Sequence, residues 1–128
     1  MAAHQLYFHL AWTTLERRPM IDRTTQDFLS NFLRRTAVRE HTEVVAIAIL
    51  QTHVHVLVRS GPQVDLSRLV QLMKGGSSHA ANRLPENKLG LRWAREYSAT
   101  TVSPKRLHRA VHYLETQDQH HPGEGVRT

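Results

Sequence analysis

The run Thr52-His53-Val54-His55-Val56-Leu57-Val58-Arg59 constrains the fold more than any other stretch of this chain. β-Branched residues and period-two alternation mark it as a strand. On a strand, residues i and i+2 point to the same face. Val54, Val56 and Val58 then share one face, and His53 and His55 share the other. Two imidazoles fixed side by side can bind one metal ion and leave other coordination positions open for substrate. The competing reading is a chance His-x-His in a chain with 10 histidines.

The remaining composition bounds the function. A length of 128 residues with a hydrophobic fraction of 40% fits one compact domain with one core. We expect that core over about residues 5–121, with a loose tail over 122–128, opened by Pro122-Gly123-Glu124-Gly125, which has helix breakers and no apolar residue to bury. No apolar run approaches the ~20 residues needed to span a bilayer. The opening Met1-Ala2-Ala3-His4-Gln5 lacks the basic-then-apolar order of a secretory signal. These features point away from a membrane and toward the cytoplasm, at the nucleoid when bound to DNA. The absence of cysteine excludes disulfides, thiolate zinc sites and cysteine nucleophiles. Lys and Arg number 17 against 11 acidic residues, a net charge of +6. Polyanions are the natural partners of such a surface, nucleic acid first, against the plainer reading of a soluble basic protein.

The segments around the histidine run follow a consistent rhythm. Residues 5–14 alternate, with Leu6, Phe8, Leu10 and Trp12 facing one way, and predict a first strand. Residues 23–40 predict a helix with Thr24 or Thr25 as cap and Phe28, Leu29, Phe32, Leu33 and Thr36 at helical spacing. Val44 to Leu50 is a second strand, joined to the histidine strand by a tight antiparallel hairpin. Asp65 caps a helix carrying Leu66, Leu69, Val70 and Met73. Gly75-Gly76 predicts a distortion or break in it, with helix resuming to about Asn82. Leu84 to Gly90 is a loop, and Leu91 to Val102 contains a fourth strand. Ser103-Pro104 starts a last helix over about 105–119. The order β-α-β-β-α-β-α predicts an α+β fold, a ferredoxin-like (RRM-like) sandwich with an antiparallel sheet and an added C-terminal helix.

On that last helix, Leu107, Val111 and Leu114 form the buried stripe. Tyr113 and Gln117, four apart, lie on an adjacent stripe with Arg106 and His120. A tyrosine at the edge of a core with its hydroxyl in water is the plain reading of Tyr113.

The ordered set of motifs resembles a known family. His53-Val54-His55 has the His-hydrophobic-His form of the HUH nucleases, and Tyr113-Leu114 with Gln117 forms Tyr-Leu-x-x-Gln on a C-terminal helix. Around them stand Tyr7 to Thr14 with Arg17-Arg18-Pro19, Val70 to Ser78, and Trp93, Tyr97 and Thr101-Val102-Ser103. Over about residues 5–121 the chain is similar to the single-tyrosine HUH transposases of small insertion sequences. It is particularly similar to the REP-associated tyrosine transposases, through Gln117-Asp118-Gln119-His120-His121.

That resemblance implies a metal-dependent strand transferase acting on single-stranded or hairpin DNA. His53, His55 and Gln117 would bind a divalent metal, Mg²⁺ or Mn²⁺, and Tyr113 would be the nucleophile that forms a 5′-phosphotyrosine. Arg68, Lys74, Ser77, Ser78, Arg83 and Lys88 are candidate DNA contacts, with the Lys-Gly-Gly-Ser-Ser segment offering backbone amides to phosphates. Trp93 or Tyr97 could stack on bases, although Trp93 could equally be core. The insertion-sequence relatives imply a homodimer, with the apolar third strand as an edge to cover, whereas REP-associated relatives can be monomers. Two other functions stay open: a module that binds hairpin DNA or RNA without cutting it, and a small metal hydrolase that uses water as nucleophile.

Overall fold

The computed structural model describes residues 5–87, 89–117, 123, 125 and 126. Strand β1 (Leu6–Thr13), helix α1 (Arg23–Arg39), strands β2 (Thr42–Ile49) and β3 (His53–Ser60), helix α2 (Leu66–Ala81), strand β4 (Ser98–Val102) and helix α3 (Leu107–Glu115) follow in the expected order. One-turn 3-10 helices at Leu15–Arg17 and Pro104–Arg106 lead out of β1 and into α3. The strands form one antiparallel sheet of order β2-β3-β1-β4. Two strand-linking helices on such a sheet make the ferredoxin-like α+β arrangement.

The alternation of β3 sets both layers. Val54, Val56 and Val58 join Leu10 and Trp12 of β1, Leu29 and Leu33 of α1, and Leu69, Val70 and Met73 of α2 in the main core. Each such side chain contributes about 1.5–3 kcal/mol on burial. On the opposite face, Leu57 joins Ala46, Ala48 and Leu114 in a second cluster, with Leu107, Ala110 and Val111 packed against it. Helices α1 and α2 therefore roof one face, and α3 lies across the face that carries the histidines.

Several local expectations are corrected. The cap of α1 is Asp22, whose Oδ1 accepts the Thr25 amide at 2.9 Å, so neither Thr24 nor Thr25 caps it. Asp65 does cap α2, accepting the Arg68 amide at 3.0 Å. Helix α2 runs unbroken through Gly75 and Gly76. The apolar stripe of Leu69, Val70, Met73 and Ala81 outweighs a glycine penalty of about 1 kcal/mol each. The amides of the Lys74 to Ser78 segment thus sit inside a helix and are not a loop offered to phosphates. A Cβ on Gly76 would lie 2.8 Å from Phe32 Cζ, so this glycine lets α2 approach α1, whereas Gly75 faces open space. Strand β3 lies between β2 and β1, so it is not an edge; β2 and β4 are. Tyr97 precedes β4, and the Ser103 side chain makes no cap bond.

Of the tail expected to be loose, the Gln51 amide donates to the carbonyls of Gly123 (3.2 Å) and Gly125 (2.6 Å), and Val126 packs against the main core. The expected helical residues 118 and 119, His120, His121 and Lys88 lie outside the described residues.

The glycine pair makes a direct test. Gly75→Ala should raise unfolding stability by about 0.5–1 kcal/mol. Gly76→Ala should gain less or lose, because Phe32 must move. Equal gains in urea melts of the two variants would contradict this packing.

Candidate functional site

Strand geometry delivers the histidine pair as the alternation requires. His53 is buried and His55 half-buried, with ring centroids 5.0 Å apart and planes at 84°. Each ring is held through its Nδ1. Thr52 Oγ1 lies 3.0 Å from His53 Nδ1, and His9 Nε2 lies 2.9 Å from His55 Nδ1. The rings of His9 and His55 stack at 5.0 Å.

Sequence reading missed His9. Its signal was the alternation of β1, which places Tyr7, His9 and Ala11 on the face opposite Leu10 and Trp12. The antiparallel register then sets Ala11 beside His55 and His9 beside Leu57, bringing His9 diagonal to His55. Burial lowers the His9 pKa below its ordinary 6.5, which favours a neutral ring.

The pair opens into a cavity of about 450 Å³ also lined by Thr13, Arg17, Glu96 and Tyr97. Its rim is fastened by backbone bonds. The Thr14 amide donates to Thr52 O at 2.8 Å, Leu15 to Arg92 O at 2.8 Å, and Ala94 to Thr13 O at 2.9 Å. Buried Thr14 adds a hydroxyl bond to Arg18 O at 2.6 Å. These ties hold Glu16 and Arg17 in the left-handed region, at φ 56° and 54°. Such strain, about 1–3 kcal/mol per residue, persists only where the surroundings impose it. Arg17 is a second residue that sequence reading left unassigned. It is exposed and lines the cavity wall.

The candidate DNA contacts fare differently. The Lys74 ammonium donates to the carbonyls of Ala94 (2.7 Å), Arg95 (3.0 Å) and Glu96 (3.3 Å). Burial lowers its pKa. Its three hydrogens are engaged on these carbonyls, so Lys74 clamps the cavity rim. Ser77 is fully buried, donates to Lys74 O and accepts from Trp93 Nε1 at 3.0 Å. Trp93 is partly buried against the main core, where it meets Trp12 edge-on at 5.8 Å. Arg68 pairs with Glu40 at 2.9 Å, and Ser78 Oγ donates to Gly75 O at 3.3 Å. Arg83 is exposed after α2. None of these five lines the histidine cavity.

Helix α3 carries Tyr113, and Gln117 follows just past its C-cap Thr116. Leu114 packs with Ala48, the cross-strand partner of His55. Tyr113 is 41% exposed. Gln117 is 2% exposed, and its Nε2 donates to Tyr113 O at 3.3 Å. Its Oε1 is buried with no hydrogen-bond partner among the described residues. Neither Tyr113 nor Gln117 lines the cavity that holds the histidines.

An orphaned amide oxygen costs about 1–3 kcal/mol, which a cation would relieve. Among the described residues, no three His, Asp or Glu side chains are grouped to hold a metal. A third protein ligand to a metal on the histidine pair would be another kind of donor, and the Gln117 oxygen is one. Two imidazoles and an amide oxygen fit a divalent ion of intermediate hardness.

Comparison with known proteins places most of the chain. The family described as transposase IS200 like matches residues 2–117. The ISDra2 transposase TnpA of Deinococcus radiodurans is 29% identical over 119 residues, covering 89% of this chain and 85% of that protein. A crystallised candidate transposase from Deinococcus radiodurans R1 superposes with a TM-score of 0.68 at 27% identity, over 90% of this chain and 92% of that one. A REP-associated tyrosine transposase bound to a REP hairpin shares the fold, with a TM-score of 0.70 at 16% identity, over 93% and 68% of the two chains.

Two measurements test this geometry. Lys74→Met should lower stability by about 1–3 kcal/mol, as loss of a charged donor does, whereas Ser78→Ala should stay within about 0.5 kcal/mol. A fully stable Lys74→Met would remove the clamp. The second test uses pH. Because the folded pKa of His9 lies below the unfolded 6.5, its contribution to stability is full above 6.5 and is lost as pH falls through the folded value. Between about pH 8 and pH 5, the urea midpoint of wild type should fall more than that of His9→Gln. Equal falls would contradict a neutral buried His9.

Proposed function

Because the chain belongs to the IS200-like family of HUH tyrosine transposases, we propose that it nicks and rejoins single-stranded DNA, with Tyr113 as nucleophile and His53, His55 and Gln117 as the seat of a divalent metal. One observation carries this reading: the orphaned Gln117 oxygen lies just past the C-cap of the helix that covers the histidine face and bears Tyr113, and the same amide donates back to Tyr113 O. The REP hairpin bound by the fold neighbour supports hairpin DNA as the substrate form.

The chemistry follows from these groups. A bound divalent ion would neutralise charge on the scissile phosphate as a Lewis acid, Mg²⁺ or Mn²⁺ being the candidates. The Tyr113 oxygen attacks phosphorus and gives up its proton. The bond to the 3′ oxygen breaks, and that oxygen takes a proton. The products are a 5′-phosphotyrosine and a free 3′-hydroxyl. The phosphotyrosyl ester keeps the energy of the broken bond, so a 3′-hydroxyl can attack it and restore both DNA and tyrosine. No nucleotide cofactor is needed. Arg17, on the cavity wall, provides a positive charge for the strand. Tyr113 sits outside the histidine cavity, so strand transfer requires α3 of this copy or of a second one to bring the phenol to the phosphate. A homodimer satisfies that need and is part of the proposal.

Three outcomes are expected. Tyr113→Phe should keep its fold and DNA affinity and yield no protein–DNA adduct after denaturation. An adduct in that variant, or one mapped to Tyr7 or Tyr97 by peptide mass spectrometry, would overturn the assignment. A released nick without an adduct in wild type would favour water as nucleophile, and binding without cutting would favour the DNA-binding module. Affinity for hairpin DNA should fall log-linearly with salt, and Arg17→Ala should reduce that slope by about 1; an unchanged slope would remove Arg17 from the interface.

A further inference from the structure

Both histidines of β3 are gripped at the same ring atom, by side chains from different places in the chain. His55 Nδ1 faces His9 Nε2 from β1 at 2.9 Å, and His53 Nδ1 faces its own neighbour Thr52 Oγ1 at 3.0 Å. With one proton on each ring, the contact holds one hydrogen, which can sit in only two ways. If His9 donates it, His55 Nδ1 is the acceptor and the other proton of His55 is on Nε2, which then has no lone pair for a ligand. If His55 donates it, His55 is the Nδ1–H tautomer and its lone pair is on Nε2. The same choice applies to His53 and the Thr52 hydroxyl, which can accept as well as donate. A ligating imidazole takes its tautomer and its orientation from the partner of its second nitrogen.

We infer that His9 and Thr52 are positioning residues that hold His55 and His53 as Nδ1–H tautomers, each with its ligating lone pair on Nε2. This inference rests on the metal reading of the histidine pair and adds residues to it. Neither residue touches substrate; each acts through the ring it holds. His9 does so from a separate strand, so the β1–β3 register aligns one half of the site. Thr52 does so from the hairpin turn, and its carbonyl also accepts the Thr14 amide, which ties the His53 grip to the rim of the cavity.

The tautomers can be read on wild-type protein without any variant. Long-range proton–nitrogen NMR spectra of the metal-free protein should show the proton on Nδ1 for both His53 and His55. A proton on Nε2 of either ring would overturn the inference for that ring, whatever the metal does.

Mn²⁺ binding, followed through the EPR signal of free Mn²⁺, gives the second readout. His9→Phe keeps an aromatic ring but has no acceptor, and should weaken Mn²⁺ binding by about 10–100-fold. His9→Gln restores an acceptor oxygen and should stay within a few-fold of wild type. Thr52→Val and Thr52→Ser should show the same contrast. A merely structural role would lower the melting temperature of the metal-free variants and would not separate Gln from Phe. If wild type and His9→Phe bind Mn²⁺ alike while His53→Ala does not, the positioning role fails and the metal site stands. If wild type binds no Mn²⁺, both fail.

Discussion

Everything in the site depends on the position of β3 inside the sheet. It is bonded on both sides, to β2 and to β1, and each of its faces is covered by a different layer. Val54, Val56 and Val58 are fully buried beneath α1 and α2. That apolar face locks the strand, and a one-residue slip would move the valines to the opposite face and the histidines into the core. The imidazoles therefore inherit their placement from packing on the side of the sheet away from any chemistry. Functional groups on a rigid strand hold their geometry better than groups on a loop.

Around this strand the molecule divides its labour by face. The helical roof carries most of the apolar burial, and several of its polar side chains are engaged within the protein: Lys74 on three carbonyls, Ser77 on Trp93, and exposed Arg68 on Glu40. The opposite face carries His9, His53 and His55, with α3, which bears Tyr113 and leads into Gln117, laid across the neighbouring strands. Lys74 joins the two halves. From the roof it reaches the carbonyls of residues 94–96, and that segment walls the histidine cavity. Lys74 thus shapes the site from α2, while exposed Arg17, in the 3-10 turn after β1, lines its wall.

How much of this could be read in the sequence follows from the range of the interactions. Period-two alternation is local, so the strand 53–60 and the shared face of His53 and His55 were legible from a few residues. The element order and the Asp65 cap were legible for the same reason. The contact of His9 with His55 spans 46 residues and depends on a register that no local pattern states. The Gly75-Gly76 pair argued for a break because propensity is local, but the burial that overrides it comes from α1. Lys74 and Ser77 read as phosphate contacts because a basic, small polar segment looks solvated until the 93–96 segment folds over it. The internal place of β3 was implicit in the ferredoxin-like order, yet its apolar character alone suggested an edge. Val126 and the Gln51 bonds show the same limit at the tail, where the partner lies more than 70 residues away.

The central claim is that β3 and α3 together form one metal seat beside the nucleophile. A crystal of the protein grown with Mn²⁺ and single-stranded DNA tests it most directly, through the anomalous signal of the ion. The account predicts one strong peak within bonding distance of Nε2 of His53, Nε2 of His55 and Oε1 of Gln117, with a DNA phosphate completing the shell. A peak on the histidines with the Gln117 oxygen turned away, or a peak elsewhere on the protein, would contradict it.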